Sequence, residues 1–567
     1  MTRYSIFIIL FGLLVSYACG NQSSYTGSME GSFFNIDTTS RGTDVPLYNE
    51  TQTWSGKGWR GERISSQLLI WAPESKTEIT LSSSALSGKG NSLIPETHIS
   101  LYEIKYVMTD VFAEGCEKTG IGNYDSSLVA DFLEPVKSAI QTEARVPQLI
   151  WISIDIPPDA NPGVYSGEIE LREGGNKGLK FALELEVQSP ELPPPSQWDF
   201  HLDLWQNPFS VARFFNVEPW SELHFERMKP TMEMLADAGQ KCITTTISDK
   251  PWGGQTFDPF ESMVKKTRTK SGSWTYDYSV FDAWVEFAME CGIDQQINCY
   301  SMVTWSNEYT FFDESGEQEV TVSCMPGSRD YNEIWIPFLN DFNDHLLQKE
   351  WQDLTTISMD ERSMEDLMKV IELVYREAPE LKIAFAGRYH PELDHALYDL
   401  SVASVHVVPG ENLAKRAAEK FITTFYVCCV EEQPNTFSFS NPAEASYLAW
   451  YAANRNFDGM LRWSYNSWTE KPFDDSRFRR FPAGDTYMVY PGGRSSVRFE
   501  RLREGIQDFE KIRILKGELI LEGSVESHEK LKLLNSQLAK FDIQSLSTIP
   551  ASETLSEGKI LLHLLSR

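Results

Sequence analysis

Two carboxylates stand side by side at Asp360 and Glu361, after the apolar run Thr355-Thr356-Ile357-Ser358-Met359 and ahead of Arg362. Paired carboxyl groups serve acid–base chemistry, one giving a proton while the other stays charged. The run before them reads as a strand, and residues 364–379 after them read as a helix. A strand that delivers charged side chains at its carboxyl end, with a helix next, is how a (β/α) barrel presents catalytic residues. Such dipeptides also occur on solvated surfaces, so the surrounding pattern decides between the two.

Consecutive residues leave the backbone at nearly one point. That suits poorly the retaining glycosidase scheme in which two carboxyls face each other about 5–5.5 Å apart across the scissile bond. It suits a substrate-assisted scheme, in which a 2-acetamido group of the substrate attacks its own anomeric carbon. Glu361 is then the general acid and base, and Asp360 orients the acetamido group. The neighbouring charge raises the proton affinity of one member, and the two titrate as a coupled pair.

The bulk composition is compatible with this chemistry. Of 567 residues, 41% are hydrophobic and 12% aromatic, enough for two or three cored domains. With 81 acidic against 51 basic residues the net charge is −30, which argues against a nucleic-acid partner. Arg3, the apolar stretch 6–15 and Ala18-Cys19 resemble a bacterial lipoprotein signal, with Cys19 carrying the lipid. A plain secretory signal is the alternative; both predict export. The lipid would hold the protein on a membrane, outer membrane included, facing the periplasm or the surface. Cys116, Cys242, Cys291, Cys299, Cys324, Cys428 and Cys429 show no CxxC spacing, so no zinc site is expected. Buried thiols are the expected state, with disulfides left open.

The elements needed to position the carboxylates fall into regions. A signal segment at 1–19 and a tether at 20–32 precede a domain at 33–188, where short alternating runs at 67–71, 78–81, 149–154, 167–171 and 180–187 predict a β-sandwich. Residues 189–197, rich in proline, predict a stiff linker. From 198 to 515 eight strand-then-helix units predict a (β/α)₈ TIM-like barrel, with strands at 199–205, 242–247, 295–302, 355–359, 382–386, 401–408, 421–429 and 460–465. Helices are expected at 222–238, 278–291, 332–349 and 364–379, near His395, Ala414 and Tyr447, and at 496–515. An open doubly wound sheet is the alternative, weakened by the lack of GxGxxG after the first strand. Residues 516–567 read as a helical tail.

Side chains at the strand ends should surround one pocket. They are Trp205, Tyr300, Trp305, Arg388, Tyr426, Trp463, Tyr465, Asn466 and Trp468, with Asp485 and Tyr487 from the following loop. Aromatic faces stack on apolar sugar faces and the polar groups satisfy hydroxyls, so the set predicts a neutral carbohydrate.

Four motifs now carry a family resemblance. They are Ser358-Met359-Asp360-Glu361-Arg362, Leu461-Arg462-Trp463-Ser464-Tyr465-Asn466-Ser467-Trp468, Gly484-Asp485-Thr486-Tyr487-Met488-Val489-Tyr490-Pro491-Gly492, and Arg498-Phe499-Glu500-Arg501-Leu502-Arg503-Glu504-Gly505. Together they resemble glycoside hydrolase family 123, the β-N-acetylgalactosaminidases. The resemblance implies a sandwich, a barrel and a helical tail. It also implies exo-cleavage of terminal β-linked GalNAc with retention, by a pair matching Asp360 and Glu361. No metal or organic cofactor is expected. Two other readings stand beside it: a cell-surface glycan-binding lipoprotein without turnover, and a glycosidase for another hexosamine.

Overall fold

The computed structural model describes residues 29–41, 51–71, 77–137, 139–142, 146–174 and 178–566. Cys19 and the apolar stretch before it lie outside the described residues. The first described strand, Glu30–Phe34, begins inside the stretch expected as a tether.

The N-terminal region is two β-sheets laid face to face. One orders the strands Glu30–Phe34, Arg63–Trp71, Pro147–Asp155, Ile99–Thr109 and Ser127–Pro135, all antiparallel. The other orders Thr53–Arg60, Leu179–Glu191, Gly163–Glu173, Thr77–Ser83 and Ala139–Thr142. Leu68, Ile70, Ile150 and Ile152 of the first sheet share one core with Ile169, Leu171, Phe181 and Leu183 of the second. Along Leu179–Glu191 the buried Phe181, Leu183, Leu185 and Val187 alternate with outward residues, the period-2 pattern of a half-buried strand. In the first sheet Leu69, Leu149 and Trp151 turn the other way and pack with Val497, so its central strands are buried on both faces. That is why they read as continuous apolar runs.

The proline-rich segment is a seam and not a stiff spacer. Strand Leu179–Glu191 runs through Ser189 and Pro190, Leu192 is buried, and Trp198 Nε1 donates to the Pro193 carbonyl at 2.7 Å.

Eight parallel strands then form a nearly closed barrel. They are His201–Leu204, Cys242–Thr246, Gln296–Tyr300, Thr355–Asp360, Lys382–Gly387, Asp399–Ala403, Ile422–Tyr426 and Gly459–Arg462, each at a position expected from sequence. The sheet path opens between the first two strands. There Gln240 and Gln206 bridge the gap: the Leu204 N–H donates to Gln240 Oε1 at 3.0 Å, and the Thr244 N–H to Gln206 Oε1 at 2.9 Å. Helix Met364–Glu377 shows why the fourth unit folds. Ser363 caps it by accepting from the Asp366 N–H, and Leu367, Val370, Ile371 and Val374 form its buried stripe.

The fifth unit departs from expectation. In place of a helix near His395 there is one three-residue turn of 3₁₀ helix, Pro391–Leu393, because Pro391 and the short reach to Asp399 leave no room for more. Two insertions elaborate the barrel. Strands Lys265–Arg268 and Trp274–Asp277 after the second barrel strand join Glu308–Asp313 and Gln318–Ser323 after the third in a separate four-stranded sheet. The long helix Val497–Glu522 runs past the boundary expected at 515, and helices Val525–Leu538 and Ala551–Leu565 pack beside it.

That long helix locks the regions together. Buried Arg498 grips Asp131 of the N-terminal region (Nη2 to Oδ2, 2.9 Å) and donates to the carbonyls of Thr436, Gly484 and Tyr487. Lys511 joins Glu62 at 2.7 Å to Asp508 at 2.8 Å. Gly505 lets the helix approach its neighbour Pro442–Arg455, since a Cβ there would sit 2.6 Å from the Ser446 carbonyl oxygen.

Candidate active site

The barrel mouth holds a cavity of about 220 Å³. Asp360 is the last residue of the fourth strand, and its side chain lines this cavity while only 6% exposed. Successive strand residues point to opposite sides. Glu361 escapes that rule because the chain turns at it, with φ 26°, while its N–H still bonds the Ala386 carbonyl at 2.8 Å. Both carboxylates therefore line one cavity, Asp360 buried and Glu361 exposed. A positive φ on a glutamate is a sparsely populated conformation of the kind that clusters at functional sites.

Each carboxyl group is held differently. Trp305 Nε1 donates to Asp360 Oδ2 at 3.2 Å, whereas Oδ1 is buried without a partner. Arg362 donates from Nε to the Asp360 carbonyl at 3.0 Å and lies over the Trp305 ring at 5.0 Å. Tyr426 donates its hydroxyl to Glu361 Oε1 at 2.8 Å. Burial raises the Asp360 pKa to about 7, opposed by the Arg362 charge and the Trp305 N–H and reinforced by Glu361. Sequence reasoning assigned the shift to like charge between neighbours; the larger cause is desolvation, and it acts on Asp360.

Four of the expected pocket residues line the cavity: Trp205, Trp305, Tyr426 and Trp463. Tyr300 lies behind Trp205, its ring 4.6 Å away, in a cluster with Trp252 and Phe260. Arg388 borders an adjoining depression that shares Glu361 and Tyr426 with the cavity.

The other five are corrected to architectural roles. Tyr465 is buried and donates to the Thr231 carbonyl at 3.0 Å. Trp468 is buried with Nε1 on the Val489 carbonyl at 2.7 Å, and Tyr487 donates to the Pro472 carbonyl at 2.9 Å. Asn466 pins the backbone of Asn207 in both directions. Asp485 pairs with Arg462 at 2.8 Å, both fully buried. The physical reason is that the eighth strand ends at Arg462, so strand alternation no longer predicts which later side chains reach the cavity; Trp463 does, whereas these five are buried elsewhere in the fold. Removing one partner of a buried pair leaves a buried charge uncompensated. Asp485→Ala is therefore expected to lower unfolding free energy by about 3–5 kcal/mol, read by urea denaturation; a sugar ligand would instead raise KM at unchanged stability.

The residues that sequence reading missed are Gln255, Ala386, Leu461, Arg480, Phe481, Cys428, Cys429, Val430 and, from the N-terminal region, Cys116 and Glu117. Cys116 and Cys429 form a disulfide, which corrects the expectation of buried thiols for these two; Cys242, Cys291, Cys299 and Cys324 are buried and free, and Cys428 is half-buried and free.

Among the described residues two groups bring metal-type ligand atoms together. Cys116, Cys428 and Cys429 lie at the pocket, but two of these sulfurs are spent on the disulfide. His201, Cys242 and Asp399 open three barrel strands at the end opposite the mouth, where His201 Nε2 lies 3.5 Å from an Asp399 carboxylate oxygen.

Comparison with known proteins agrees with this geometry. The family model described as Glycoside hydrolase 123, catalytic domain, matches residues 205–515, and the one described as Glycoside hydrolase 123 N-terminal domain matches residues 37–173. A solved structure of a family 123 glycoside hydrolase from Clostridium perfringens, studied for glycolipid glycan hydrolysis, superposes with TM-score 0.85 at 25% identity, covering 95% of this chain and 97% of that one. A Bacteroides ovatus GH5 xyloglucanase covers 83% of this chain and 100% of its own at 8% identity, with TM-score 0.27, too low to carry an argument. No curated protein matches the chain.

Proposed function

The chain belongs to glycoside hydrolase family 123, and from that premise we propose that it is an exo-acting, retaining β-N-acetylgalactosaminidase that works by substrate-assisted catalysis. One observation carries the proposal: Asp360, whose buried Oδ1 has no hydrogen-bond partner, lines the same cavity as an exposed carboxylate held by a tyrosine.

An acetamido N–H supplies the donor that Oδ1 lacks. Bonded there, the amide is turned so that its carbonyl oxygen can reach C1 from the face opposite the leaving group. Attack forms a cyclic oxazolinium, and ionised Asp360 stabilises its positive charge in a water-poor site. Glu361 protonates the departing oxygen and then takes a proton from the water that opens the ring. Tyr426 fixes the Glu361 carboxyl for both steps, and Trp205 and Trp463 offer apolar faces to the sugar.

This assignment has a pH signature. Asp360 must be ionised to stabilise the oxazolinium charge, and its pKa is raised to about 7. Since kcat/KM reports the free enzyme, it should rise with pH through about 7. The N–H bond favours the ionised form, so the acid limb of kcat should lie at lower pH. Coincident limbs in the two profiles would remove Asp360 from this role.

Hydrolysis of paired aryl β-GalNAc and β-GlcNAc glycosides tests the sugar. Turnover of GalNAc alone is the expected result; equal turnover would favour a broader hexosaminidase, and sugar binding without turnover a glycan-binding protein. The proposal includes export and lipid anchoring at Cys19. The Cys116–Cys429 disulfide supports it, since such bonds persist in oxidising compartments. Cys19→Ala should release the protein from the membrane fraction.

A further inference from the structure

One wall of the cavity is not built by the barrel. Cys116 and Glu117 belong to the N-terminal region, between strands Ile99–Thr109 and Ser127–Pro135, yet both line the cavity. Their segment is fastened at several independent points. The Cys116–Cys429 disulfide ties it to the loop after the seventh barrel strand. Next to it, buried Lys118 pairs with Asp110, whose other oxygen accepts from the Ala483 N–H at 3.1 Å. Gly115, at φ 53°, passes so close that a Cβ would lie 2.9 Å from the Cys429 carbonyl oxygen. A segment anchored in this way is a preformed surface, and ordering it costs a ligand nothing.

Burial gives the cavity a direction. Asp360, Trp205, Ala386 and Leu461 are buried at its floor, whereas Glu117 and Arg480 are exposed at its mouth. A sugar whose anomeric carbon sits at Asp360 and Glu361 must send its leaving group past that mouth. Arg480 lies over the Phe481 ring at 5.3 Å, so its guanidinium is held rather than free. Glu117 accepts hydrogen bonds, Arg480 donates them, and their opposite charges leave no net preference for a charged ligand.

Resting on the glycosidase reading above, the geometry points to a leaving-group subsite shared between domains, in which Glu117 and Arg480 bind the hydroxyls of a neutral second sugar. The disulfide keeps the two sides of that subsite in register. The N-terminal region is thus part of the specificity apparatus as well as a support.

The test compares two substrates, an aryl glycoside of the accepted sugar and a disaccharide in which that sugar is joined to a neutral hexose. The quantity read is the ratio of their kcat/KM values in the wild type, Glu117→Ala and Arg480→Ala. Each variant should lower the disaccharide-to-aryl ratio about tenfold, mainly through KM for the disaccharide. Both positions are exposed, so the fold should tolerate the changes. A ratio that stays at the wild-type value would overturn the subsite, even if both rates fell together. Absence of wild-type turnover on either substrate would instead strike the glycosidase reading, and the subsite with it.

Discussion

Glu361→Gln is expected to cleave substrates with poor leaving groups about 10²–10⁴-fold more slowly than the parent enzyme, while binding sugar with similar affinity. Such a fall is about 3–5 kcal/mol of barrier. The amide keeps the size of the side chain and its contact with Tyr426, but it has no proton of suitable acidity to give. The loss should shrink on glycosides with strongly activated leaving groups, whose departure needs little protonation. Parallel loss on both kinds of substrate would mean that Glu361 holds the pocket together and transfers no proton. Stopped assays with a graded series of aryl leaving groups would decide.

Asp360→Asn should lower kcat by about 10²–10³-fold on 2-acetamido sugars, the range seen when one preorganised electrostatic partner is removed. Asn can still accept the N–H, but it carries no charge to stabilise the oxazolinium. Stability gives an independent check. Burial raises the Asp360 pKa to about 7, so the native state binds this proton more tightly than the unfolded chain does. Wild-type stability therefore falls as pH rises from the ordinary carboxyl range to about 7. Asn has no proton to lose, so above pH 7 the variant should melt at or above the wild-type temperature. An inactive variant that also melts lower at pH 8 would point to a structural role. Rescue of Asp360→Asn by azide, with a glycosyl azide of inverted configuration as product, would make Asp360 a covalent nucleophile.

The barrel and the pair were legible in the sequence because both rest on local signals. Apolar strand runs recur with helical stretches between them, and the carboxylates follow one such run directly. What reading strand ends could not supply was direction. Trp463 faces the cavity and Tyr465 does not, although they lie two residues apart, because the strand has already ended at Arg462. Asp485 and Tyr487 reside in quoted family motifs and look like ligands, yet they are buried partners of the fold. The motif from Arg498 to Gly505 likewise joins domains, through the Arg498–Asp131 pair. The Cys116–Cys429 pairing spans 313 residues, so no spacing rule could find it, and with it went the N-terminal wall of the cavity. The missing fifth helix had a signal in Pro391, set close after the strand.

The central claim is that the substrate's own acetamido oxygen attacks the anomeric carbon, with Asp360 holding the amide. The most direct measurement is kcat/KM for aryl β-GalNAc glycosides whose N-acyl group carries zero, one, two or three fluorines. Fluorine withdraws electrons from the carbonyl oxygen and changes its size little. The account predicts a steep, graded fall across the series. A flat series would show that another nucleophile forms the bond and would contradict the account.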